Sequence, residues 1–65
     1  MPSLASTRRR EILHRLITDG YVEAKTLADE MGVDASTIRR DLDALERSGQ
    51  AQRTHGGARP THGAT

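Results

Sequence analysis

At 65 residues, with ten basic side chains against nine acidic ones, the chain has room for one small domain and none for a buried catalytic cavity beside its core. It contains no cysteine, which excludes disulfide staples and Cys-based zinc sites and makes a cytoplasmic setting the expectation. No apolar run approaches a membrane span, and the opening MPSLASTRRR lacks the apolar stretch of a secretory signal.

The net charge of +1 hides a segregation along the chain. Residues 1–22 carry +2, residues 23–34 carry −3 and residues 35–65 carry +2. A basic face could be assembled from the two ends with the middle turned away. Every basic residue except Lys25 is an arginine, the side chain that grips phosphate or guanine through two parallel hydrogen bonds.

Residues 1–6 read as a disordered N-terminus, and Ser6 or Thr7 as the cap of a first helix running to about Asp19, with Gly20 as its stop. Ile12, Leu13, Leu16 and Ile17 make its core-facing stripe. Arg8, Arg9 and Arg10 lie at the positive end of the helix dipole, a mild local cost that suggests they face an anion; the plain alternative is a solvated basic run. His14 sits on a mostly polar surface. Tyr21-Val22 is β-favouring and follows a glycine, so an edge strand is expected there.

A short second helix covers Glu23 to Met31, with Leu27, Ala28 and Met31 at helical spacing. Gly32 breaks it. Asp34 then caps a third helix, 35–48, with Val33 and Ile38 placed as a hydrophobic staple and Gly49 as the left-handed stop. Ile38, Leu42 and Leu45 form the buried stripe of this helix. Ser36, Arg40, Asp43 and Arg47 fall opposite, and Thr37 and Arg39 lie on the flanks. Two short helices joined by a glycine-containing three-residue turn carry the helix-turn-helix signature, in which the second helix enters the major groove. Ser36, Thr37, Arg39 and Arg40 at its start are residue types that hydrogen-bond bases and phosphates.

After Gly49 the helical stripe disappears. Gln50 to Thr54 reads as a strand and His55-Gly56-Gly57 as its tip, so residues 51–58 form a wing whose strand pairs with Tyr21-Val22. Two glycines at the tip allow a backbone to approach a phosphate closely. Arg53 and His55, with Gly56 and Gly57, are the expected backbone contacts. Residues 59–65 lack an apolar anchor beyond alanine and read as a flexible tail or linker.

The stretch TIRRDL at 37–42, followed by RTHGGA at 53–58, resembles the N-terminal domain of the DeoR family of bacterial transcription regulators. The resemblance runs over about residues 8–58, with Leu27-Ala28, Gly32-Val33 and Gly49 in matching places. It implies a mainly α fold with a small sheet, a winged helix-turn-helix over residues 7–58, binding operator DNA as a repressor. By position it assigns Thr37, Arg39 and Arg40 to the recognition helix, and Arg53, His55, Gly56 and Gly57 to the wing. Two departures stand out: Asp34 replaces the family's usual serine, and Ala51 replaces a larger aliphatic residue, which implies a loosely held wing. Family members also carry a large C-terminal domain that binds a sugar phosphate or related metabolite and mediates oligomerisation. The expectation is therefore an isolated, monomeric DNA-reading domain, with effector sensing placed elsewhere in a homo-oligomeric parent regulator.

A winged helix can instead dock a protein partner without nucleic acid, but the outward face of the third helix offers no apolar residue for that. An enzyme is not expected: His14, His55 and His62 have no partnering nucleophile or pocket, and no phosphate-loop or dinucleotide motif is present. No metal or other cofactor is expected either. RNA fits poorly, because an A-form major groove is too narrow for a helix and Tyr21 alone could stack on bases.

Overall fold

Three helices and a three-stranded sheet turn their apolar sides to one another around a single core. The computed structural model describes residues 4–61. In chain order the elements are α1 (Leu4–Asp19), β1 (Val22–Glu23), α2 (Ala24–Met31), α3 (Ala35–Arg47), β2 (Ala51–Thr54) and β3 (Gly57–Pro60). The core takes Ile12 and Leu16 from α1, Leu27 and Ala28 from α2, and Ile38, Leu42 and Leu45 from α3. Val22, Ala51 and Ala58 close it from the sheet. Leu16, Leu27, Ile38, Leu42 and Leu45 are buried, as their spacing predicts.

Four features differ from the sequence-based expectation. α1 begins at Leu4, ahead of Ser6 and Thr7, so residues 4–6 are helical. Ser3, Ser6 and Thr7 are all capping types, and local chemistry does not rank them. Ile17 is 70% exposed. Ile12 and Leu16 are the buried residues of α1, and Leu13 packs partly buried against the core. At about 100° per residue, Ile17 lies about 120° round the helix from the line between Ile12 and Leu16.

The third difference is the pairing of β1. It is antiparallel to β3, not to β2, and the strand order is β1-β3-β2, with Val22 opposite Ala58 and Glu23 opposite Gly57. The fourth follows from it. Residues 59 and 60, read as the start of a tail, belong to β3, where Arg59 pairs with Gln52 and Pro60 with Ala51. Thr61 then donates from its hydroxyl to the Gly49 carbonyl at 2.8 Å. Backbone pairing orders this segment, and backbone pairing leaves no trace in side-chain hydropathy. His62 lies outside the described residues.

Candidate nucleic-acid interface

α3 is pinned from below and at both ends, which makes it a stiff platform for the side chains it presents. At its start Asp34 has extended geometry (φ −74°, ψ 147°), and its carbonyl accepts from the N–H groups of Thr37 (3.0 Å) and Ile38 (3.3 Å). The Asp34 carboxylate makes no capping bond. The position expected of the cap is right and the expected side-chain bond is not made, since the carboxylate stays in water. At the other end Gly49 takes φ 80°, while Gly49 N–H bonds Glu46 and Gln50 N–H bonds Leu45 (3.0 and 2.8 Å). That paired pattern is a Schellman stop, and it needs a left-handed residue at Gly49.

The underside carries a group that composition conceals. Asp41 is 1% exposed, within the apolar stripe of α3. Arg8 donates to both of its oxygens, through Nη2 at 3.0 Å and through Nε, and Arg9 Nε donates at 3.0 Å. Burial alone would raise the carboxyl's pKa. The hydrogen bonds from Arg8 and Arg9, with their charges, outweigh burial and hold it below its ordinary 3.8. The hydrogen bond to Asp41 likewise raises the Arg8 guanidinium. The anion that Arg8 and Arg9 face is thus internal, and it fastens the first turns of α1 to the middle of α3. The signal lay in the spacing: Asp41 stands three residues after Ile38 and four before Leu45, on the core side.

Above this platform Ser36, Arg39 and Arg40 are exposed and Thr37 is half-buried. All four stand within the first two turns of α3, beside one another at its N-terminal end. Among the described residues, the guanidinium groups of Arg39 and Arg40 have no intramolecular partner, and the same holds for exposed Arg10, Arg47 and Arg59. The other arginines are spoken for. Arg15 bridges Glu30 (2.5 Å) and Glu11 (3.5 Å), while Arg8 and Arg9 hold Asp41.

The wing residues divide in the same way. His55 and Gly56 form the exposed turn between β2 and β3, and Gly56 adopts φ 82°, in the left-handed region that favours glycine. Gly57, next to the tip, is buried. A methyl group there would lie 2.0 Å from the Val22 carbonyl oxygen and 2.8 Å from the Tyr21 hydroxyl, so this glycine lets β1 and β3 approach. Arg53 is turned inward. Its Nε donates to Gly57 O (3.2 Å), and its Nη1 donates to Arg39 O (3.3 Å) and to the Asp43 carboxylate. Its backbone N–H donates to Glu46 Oε2 at 3.0 Å.

Comparison with known proteins adds four findings. The DeoR-like helix-turn-helix domain matches residues 8–63. The chain is 49% identical over 51 residues to the lactose phosphotransferase system repressor of Lactococcus lactis subsp. lactis, covering 78% of this chain and 20% of that protein. It is 41% identical over 51 residues to the HTH-type transcriptional regulator GolR of Listeria innocua serovar 6a, with 78% and 20% covered. The chain therefore spans about a fifth of the length of these relatives. Among solved structures it is similar to the Zalpha domain of Carassius auratus PKZ, crystallised in complex with Z-DNA. The two share 31% identity with a TM-score of 0.74, over 91% of this chain and 100% of that one.

Proposed function

The chain belongs to the DeoR-like helix-turn-helix family, and from that premise we propose that it is the operator-reading domain of a transcription regulator, a repressor in its basal action. α3 enters the major groove. Ser36, Thr37, Arg39 and Arg40 meet base edges and phosphates there, and His55 and Gly56 bring the wing tip to the neighbouring backbone. Arg53 and Gly57 shape the wing rather than touch the duplex. The effector and the oligomer interface belong to parts of the regulator beyond this domain.

The observation that carries this reading is the pair Arg39 and Arg40, exposed and without a salt-bridge partner on a helix fixed by Ile38, Asp41 and Leu42 beneath it. A free guanidinium on a rigid element is pre-organised for bidentate contact, whereas one already engaged with a carboxylate is not. The same surface counts against a protein-docking module. Among the described residues the large exposed apolar side chains are Leu4, Ile17 and Tyr21, and none lies on α3.

The test is selection of bound duplexes from a random pool, followed by titration against salt. With about four phosphate contacts, log affinity against log salt should fall with a slope near −4. Arg39→Ala or Arg40→Ala should cost about 1–3 kcal/mol on the selected duplex and relax preference at a single base position. Equal losses on selected and scrambled duplexes for both variants would remove α3 from the groove.

A further inference from the structure

We propose that Arg53 and Asp43 form a latch that sets the wing at a fixed angle to α3, which makes Arg53 a positioning residue and not a phosphate ligand. The proposal rests on the reading of α3 as the DNA-facing helix, but its first observable does not.

The need for a latch is visible in the wing's own packing. β2 is an edge strand of four residues, and the side chain it places in the core is the single methyl of Ala51. Alternation puts Arg53 on the same side of the strand as Ala51, toward α3. A methyl group supplies little apolar area to hold an edge strand against a helix, so polar contacts must do so. Arg53 makes them in three directions at once: to Gly57 O across the hairpin, to Arg39 O on the helix backbone, and to the Asp43 carboxylate. Glu46, one position short of a further turn along α3, accepts from the Arg53 N–H at 3.0 Å. Two acids of α3 thus grip one residue of the wing. One of the anchor points is the carbonyl of Arg39, a base-reading candidate, so the angle of the wing and the register of the reading helix are tied at one guanidinium. The Arg53 side chain is 23% exposed and Asp43 49%, so the pair is shielded without being cut off from solvent.

Two plain alternatives predict the opposite sign at Asp43. If that carboxylate were only a negative charge near DNA, its removal would strengthen binding. If Arg53 were a phosphate ligand restrained by Asp43, removing Asp43 would release it and strengthen binding again. A latch predicts weaker binding in spite of the charge lost.

The experiment has two arms. In the DNA-free domain, amide hydrogen exchange is followed for wild type, Asp43→Ala, Arg53→Ala and the double variant. Each single variant should speed exchange in β2 and β3 by about fivefold, with the double no worse than the worse single. Amides of Ile12 and Leu16 in α1 should be unchanged, which confirms that the fold is intact. Unaltered wing exchange overturns the latch. In the second arm the same proteins, with Asp43→Asn, bind the duplex selected above. Asp43→Ala should bind about fivefold more weakly, while Asp43→Asn, which keeps an acceptor oxygen without the charge, should bind like wild type. Arg53→Ala should lose affinity with its salt slope unchanged. Tighter binding by Asp43→Ala sinks the proposal, and a slope flattened by about one in Arg53→Ala makes Arg53 a phosphate ligand and sinks it too. If no duplex is selected at all, the DNA reading fails while the exchange arm still decides the latch.

Discussion

Asp41 shows how a single residue can be both the costliest and the most informative in a small domain. Its carboxylate lies below its ordinary pKa because two guanidinium groups outweigh burial, so its contribution to stability has a definite sign. A depressed folded-state pKa stabilises the fold above the unfolded value and loses that contribution as pH falls through the folded one. The melting temperature should therefore hold from neutrality down to the ordinary carboxylate range and drop below it, and Asp41→Asn should flatten that acid limb. A melt whose acid limb is the same with and without Asp41 would refute the assignment. The partners are not equivalent in cost. Removing Asp41 leaves arginines that can swing to water, 20% and 43% exposed as they stand. Removing Arg8 and Arg9 together leaves an unpaired buried carboxylate, a loss of about 3–5 kcal/mol. Sequence reasoning singled out Arg39 and Arg40 correctly as exposed side chains. It passed over Asp41 because an acid inside TIRRDL resembles one more polar residue of a wet helix, until its spacing from Ile38 and Leu45 is counted.

At the scale of elements, the helices were legible to within a few residues because each carries a 3.6-residue stripe and a chemical stop. The sheet was legible only in part. The hairpin turn announced itself through His55-Gly56-Gly57, but the partner of β1 depends on which strand is central, and four-residue strands made of AQRT and GARP have too little hydropathy to say so. Gly57 is the residue on which the arrangement turns. Gly57→Ala drives a methyl into the Val22 carbonyl, and the cost should be about 1–3 kcal/mol. That consumes most of the few kcal/mol available to a domain of this size. Gly56→Ala, next door but in open space, meets only the left-handed backbone penalty of about 1 kcal/mol. Urea denaturation of the pair distinguishes them, and equal midpoints would mean that β1 does not press on β3.

For the molecule as a whole, the charge segregated along the sequence is only partly available at the surface. The basic first segment is largely spent on intramolecular pairs: Arg8 and Arg9 on buried Asp41, Arg15 on Glu11 and Glu30 at the surface. What remains for a partner is the set of unengaged arginines, and it centres on α3. Among the described residues, the exposed large apolar side chains are Leu4, Ile17 and Tyr21. The isolated domain should accordingly sediment as a monomer at micromolar concentration, binding a half-site weakly and gaining affinity when two copies are joined. A tight dimer in that run would mean that the exposed face of α1 around Ile17 is an interface.

The strand order has a consequence in time. Both ladders of the sheet run through β3, the last element of the domain to leave the ribosome. Until residues 57–60 have emerged, β1 and β2 have nothing to pair with, however completely the helices have formed. The helix proposed to read DNA and the complete three-stranded sheet beside it can form one unit only after that last strand is made. A nascent chain halted before Gly57 holds every side chain proposed for α3 in the groove and still lacks the strand that fixes the wing beside them.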